Sequence, residues 1–154
     1  MPSYVSHTIM AREVYKELKE SNVDLNYITT FSLGGDLTKF SKCRYECHRL
    51  EKRKEFFDNL VTYIKDNKLE KNPKVIGFLY GHICHYAFDD IVHPLVRKIS
   101  KICKKSKKNH GFIELYYDNY LVNKKYGTSS NKYDNKLGFI WRTTFFGSYV
   151  KLFK

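Results

Sequence analysis

The sequence predicts an all-α protein of one domain, built as a helical bundle around a buried helix. Three observations lead there. Glycine (8) and proline (3) are too scarce among 154 residues to supply the turns of a strand-rich fold. Apolar residues recur at spacings of three and four in several separate segments. The run from Gly77 to Pro94, GFLYGHICHYAFDDIVHP, is apolar around its whole circumference, as expected of a buried helix. The length suits one domain with a real core, and 42% hydrophobic residues are enough to fill it, much of the bulk coming from Tyr and Phe.

Taken in order, His7 to Glu20 reads as a helix. Ser6 stands where a cap belongs, and Met10, Val14 and Leu18 mark the inward stripe. His7, three residues before Met10, opens that stripe. Residues 21 to 26 are a polar break, and residues 27 to 42 read as irregular. Within them Gly34-Gly35-Asp36 is the sharpest turn signal of the chain, with two glycines that let the backbone fold tightly and aim the carboxylate. After a highly charged stretch, a helix is expected from about Lys54 to Lys65, facing inward with Phe56, Phe57, Leu60 and Ile64.

Asn72-Pro73 opens the central helix, since Asn caps well and Pro is tolerated in a first turn. Pro94 should end or kink it. A further helix, Leu95 to Lys105, has one apolar side and one basic side, the latter running on through Lys107 and Lys108. Asn109 is placed to cap a last helix, His110 to about Lys125, with Ile113, Tyr117 and Leu121 inward. Residues 126 to 136 read as a loop. The tail LGFIWRTTFFGSYVKLFK fits strand or helix equally.

The formal charge is +12, which favours an anionic partner such as nucleic acid, a phospholipid surface or a phosphate-bearing substrate. A plainly Lys-rich composition accounts for it equally well. The start of the chain lacks the pattern of an export signal, and no window approaches the ~20 apolar residues of a membrane span. A cytoplasmic protein with reduced cysteines at 43, 47, 84 and 103 is therefore expected.

The polar residues expected to face inward are His7, Asp36, His48, His85, Asp89, His93, His110 and Glu114. Burial makes each costly unless it has a partner. His85, Asp89 and His93 follow one another at intervals of four, which stacks them on one helix stripe. His110 and Glu114 repeat the pattern. A single histidine on an apolar face is more often a satisfied core group than a ligand. Five of six histidines in such positions beside carboxylates favour metal, and imidazole and carboxylate are zinc ligands.

The order His7, Asp36, His48, His85-x3-Asp89-x3-His93-Pro94, His110-x3-Glu114 resembles the zinc-dependent phospholipase C family of bacteria, whose zinc scaffold the more distant S1/P1 nucleases share. The motifs span residues 7 to 114, leaving 115–154 outside them within one expected domain, 1–154. The resemblance implies an all-α fold and a zinc cluster. By carry-over His48, His85 and Asp36 hold one ion, Asp89 bridges it to a neighbour that His7 also binds, and His93, His110 and Glu114 hold the remaining one. Asp36 matches the family's favoured general base. In secreted members a Trp exposed by signal removal completes one zinc site. This chain opens Met1-Pro2 and its one Trp is Trp141, so two or three zinc ions are expected.

The implied function is hydrolysis of a phosphodiester by a metal-activated water, with a phospholipid headgroup as substrate and peripheral contact with an anionic membrane. An S1/P1-type nuclease, stacking single-stranded bases on Tyr116, Tyr117 or Tyr120, is one alternative. A non-catalytic protein held together by zinc is another. His82 reads either as a group orienting a ligand or as a buried, satisfied histidine. Cys43-x3-Cys47-His48 has an atypical spacing for a separate zinc knuckle, and Cys84 and Cys103 read as small core residues.

Overall fold

A computed structural model describes residues 4–18, 22–34, 36, 49–102, 109–130 and 132–133. The described residues form five helices and no strand: α1 (Tyr4–Glu17), α2 (Leu25–Phe31), α3 (Leu50–Asp66), α4 (Pro73–Ile102) and α5 (Asn109–Tyr126). The all-α class expected from the sequence is the class observed. Two compact units divide the chain, one of residues 1–9 and 87–154, the other of residues 10–86.

The 10–86 unit closes around Ala11, Val23, Ile28 and Cys84, flanked by Met10, Val14, Tyr15, Leu18, Ile76 and Tyr80. Helix α2 was not expected from the sequence, which reads there as irregular. Its Ile-Thr-Thr core and aromatic ends are weak helix formers. Two features override that weakness. The Asp24 carboxylate caps the helix by accepting from the backbone of Asn26 (2.8 Å) and Tyr27 (3.1 Å). Burial of Tyr27, Ile28 and Phe31 supplies the rest.

Gly77 and Gly81 let α2 lie directly on α4. A Cβ at Gly77 would stand 2.8 Å from the Asp24 carbonyl oxygen, and one at Gly81 2.8 Å from the Phe31 backbone. Helix α3 starts earlier than the apolar pattern suggests, because its charged first turns are good helix formers tied by Lys52–Glu55 (2.7 Å) and Lys54–Asp58.

In helix α4 the Asn72 cap is as expected: its side chain accepts from Lys74 N at 3.1 Å and Val75 N at 3.4 Å. Two expectations fail here. Pro94 neither ends the helix nor separates it from a following one, since α4 runs on to Ile102. Pro94 lies on an exposed turn, where the carbonyl left without an N–H donor is open to solvent, and buried Val96 pins the next turn. Nor is α4 buried all round. Ile91 (73% exposed) and Ile102 (70%) form an outer stripe with Leu95, interleaved with exposed Arg97, Lys98 and Lys101.

In the other unit, Val5 and Ile9 of α1 pack on Val122 of α5, with Leu121 and Tyr133 alongside. Helix α1 begins two residues before Ser6, so Ser6 is not its cap. Gly127, at φ +63°, turns the chain after α5. The loop expected over 126–136 is only partly irregular: Tyr126 still belongs to α5, and Ser130, Lys132 and Tyr133 are helical, with the Tyr133 N–H donating to Ser129 O at 3.1 Å. The tail from 137, the Asn109 side chain and Cys103 lie outside the described residues. Among the described residues, no helix is long and apolar enough to cross a membrane.

Candidate metal centre

Three helical segments of the 1–9 and 87–154 unit bring five expected ligands together. His7, from the first turns of α1, is fully buried. Its Nε2 lies 3.3 Å from Asp89 Oδ1 on α4. One turn on, His93 Nε2 is 3.6 Å from the same oxygen and 3.7 Å from Glu114 Oε1 on α5. His110 Nε2 is 2.7 Å from that Glu114 oxygen. The result is a continuous chain of donors: His7, Asp89, His93, Glu114, His110. The four-residue spacings account for the pairs Asp89–His93 and His110–Glu114, each on one helix face, while the contacts of His7 with Asp89 and of His93 with Glu114 join different helices.

Burial is graded along that chain. Asp89 and Glu114 are buried, while His93 and His110 are a quarter and a third exposed. The closed end is therefore at His7 and the solvent-facing end at His110. Phe88 packs edge-on against His7, with ring centroids 4.9 Å apart. Desolvation, then the neighbouring charges of His93 and Arg97, hold His110 below the usual imidazole range. That favours the neutral form, the one that binds a metal.

This geometry fits zinc. Ligands at 2.0–2.1 Å in a tetrahedron stand about 3.3 Å apart, and the contacts above bracket that value. The donor atoms of His93, His110 and Glu114 all lie within 4.8 Å of one another. A small cavity of ≈ 10 Å³, about one water-sized position, is lined by Ser6, Asp89, His93, Glu114 and Tyr117.

In the 10–86 unit, His85 and Asp36 are both buried. His85 Nδ1 donates to the Ser32 carbonyl at 3.1 Å, which leaves Nε2 as the ring's lone-pair nitrogen. Metal-binding histidines are commonly oriented this way. The turn that supplies the carbonyl closes on the imidazole: Gly34 sits at φ +41°, and a Cβ there would lie 2.5 Å from the ring carbons of His85. The backbone N–H of Asp36 donates to Leu33 O at 2.9 Å, completing the turn. His48 falls outside the described residues, as do Cys43 and Cys47.

His82 is the buried, satisfied histidine of the two readings. Its Nδ1 donates to the Phe78 carbonyl at 3.0 Å, and its ring lies against Phe78, Phe56 and Phe31. Burial, partly offset by that hydrogen bond, lowers its pKa to about 4. The unfolded chain then binds the extra proton between pH 6.5 and 4, so stability falls as pH drops through that window, by up to ~3 kcal/mol. Metal-free His82→Phe protein should lose less stability than wild type between pH 7 and 4.5 in urea titrations. Parallel curves would refute the assignment. Cys84 is likewise a core residue, its thiol pushed up to about 11 by burial.

One site-shaping residue escaped the sequence reading. Asp118, buried on α5 one turn beyond Glu114, accepts from Ser6 N at 3.0 Å and also from Ser6 Oγ. Its spacing of four from Glu114 was the available signal. Of the three tyrosines considered for base stacking, Tyr117 lines the cavity, whereas Tyr116 and Tyr120 line an open groove on α5 with Asn119, Asn123 and Lys124.

An all-helical fold with histidines and carboxylates gathered from three helical segments defines the class: a helical protein with a zinc-type centre. A model of the family described as zinc dependent phospholipase C matches residues 6–153, and the chain belongs to that family. The match runs through residues 115–153, which the motifs alone did not reach. No curated protein and no solved structure matches the chain.

Proposed function

We propose that this protein is a zinc-dependent phospholipase C-type hydrolase that cleaves the bond between glycerol oxygen and phosphorus in a phospholipid. The observation that carries the reading is the donor chain His7–Asp89–His93–Glu114–His110, closed at one end and solvent-facing at the other. Asp89, in contact with donors on both sides, suits two adjacent ions. His85, His48 and Asp36 keep the roles implied by the family resemblance, with Asp36 as general base.

Zinc held there supplies a Lewis acid for the phosphoryl oxygens and lowers the pKa of a bound water towards 7. The protein's own contribution is positional. Helix α4 fixes Asp89 and His93 one turn apart, and α5 fixes His110 and Glu114 likewise. Arg97, one turn past His93, is anchored through Nε to the His93 carbonyl at 3.3 Å. Its charge, with Lys98 and Lys101 on the same helix, draws an anionic headgroup or membrane surface towards this end of the molecule. Hydrolysis adds water's hydroxyl to phosphorus and its proton to the glycerol oxygen, releasing diacylglycerol and a phosphorylated headgroup.

Zinc-loaded protein should release phosphocholine from phosphatidylcholine vesicles. Chelation should abolish the release and added zinc restore it, and Asp36→Asn should be inactive. Fragmentation of single-stranded DNA instead of lipid would move the substrate to nucleic acid. If the loaded protein turns over neither lipid, nor DNA, nor a chromogenic phosphodiester, the hydrolase reading is wrong and the metal is structural.

A further inference from the structure

The contact between Asp118 and Ser6 links residues 112 apart in sequence, and both side chains are buried, at 2% exposure each. Ser6 lies in the first turn of α1. Backbone N–H groups there have no partner within their own helix and carry the positive end of its dipole. Helix α1 has no acidic residue of its own in that turn. The carboxylate that serves it comes from α5.

We propose that Asp118 is a positioning residue for the metal centre. It acts as a cap supplied by another helix and fixes His7 relative to the ligands of α5. Three placements support this. Ser6 is the immediate neighbour of His7, so anchoring its N–H and Oγ–H anchors the turn from which the imidazole projects. Asp118 and Glu114 are one turn apart, so one face of α5 carries both a ligand and the anchor of another ligand. Ser6 also lines the small cavity beside Asp89, His93 and Glu114. A buried carboxylate with two donors is a stiff tether, stronger than a neutral contact. The inference rests on the zinc reading above, since a positioning role needs a ligand to position.

The test is zinc affinity, measured by competition with a chromophoric chelator on the full chain. Asp118→Ala should weaken one class of zinc site about 10- to 100-fold, the range for residues that orient ligands. The remaining zinc should bind as in wild type, as expected where the ligands and their partners are untouched. Asp118→Asn, whose amide oxygen still accepts from Ser6, should fall in between. Ser6→Ala, which keeps the backbone bond, should cost least, and these two variants carry the test if Asp118→Ala does not fold. Ile64→Ala, at a buried site on α3, controls for general loosening. If Ile64→Ala weakens zinc as much as Asp118→Ala at matched thermal stability, the role is merely structural and the inference fails. If wild type binds zinc and the Asp118 and Ser6 variants bind it equally well, the inference fails alone. A wild-type protein that binds no zinc overturns the functional reading and this inference with it.

Discussion

Replacing Asp89 with Asn should abolish phosphodiester hydrolysis, by roughly a thousandfold or more, and strip zinc from the protein. Asp89 is 3% exposed and is in contact with both His7 (3.3 Å) and His93 (3.6 Å). Asn keeps the size and one oxygen but removes the anion. Both neighbouring ligand groups therefore lose the negative donor that offsets the charge of the metal. Glu114→Gln should be milder, because Glu114 contacts His93 and His110 at the more exposed end of the donor chain. Metal analysis alongside vesicle hydrolysis checks both variants. Helical content should be unchanged in each, since neither residue caps a helix. An Asp89→Asn protein with normal zinc content and normal turnover would remove Asp89 from the centre.

Gly34→Ala should produce a large loss of stability from a single methyl group. The backbone at φ +41° costs an L side chain about 1–2 kcal/mol. The new Cβ would also press on the His85 ring at 2.5 Å, and overpacking of that kind costs about 1–3 kcal/mol. A combined loss of roughly 3 kcal/mol lowers the Tm by about 6–12 °C in a chain of this length. Gly127→Ala separates the two causes. Gly127 is also left-handed, at φ +63°, but nothing lies within 4 Å of its missing Cβ, so only the backbone cost of about 1–2 kcal/mol applies. Equal losses in the two variants, read from thermal melts, would show that Gly34 is not packed on His85.

Most of the centre was legible in the sequence because helix periodicity is rigid. Once residues 73–102 form a helix, His85, Asp89 and His93 must share a face, and the same holds for His110 and Glu114. Gly34-Gly35-Asp36 was legible for a similar reason, since a left-handed turn needs glycine. What escaped depends on partners distant in sequence. Helix α2 is poor by propensity and forms because Gly77 and Gly81 on α4 leave room for it. Ser6 reads as a cap, yet the donor it satisfies is its own N–H, through a carboxylate 112 residues away. Pro94 reads as a stop and is tolerated because its turn faces solvent. His82 could not be placed from spacing alone, as its aromatic surroundings come from helices α2, α3 and α4 together.

The most direct test is zinc K-edge X-ray absorption on the zinc-loaded protein. Ligation by these histidines and carboxylates predicts a first shell of nitrogen and oxygen alone at about 2.0–2.1 Å, with the outer-shell scattering of imidazole rings. A sulfur shell near 2.3 Å would place the metal on cysteine instead, and a shell without imidazole scattering would leave the His7-to-His110 chain without its metal.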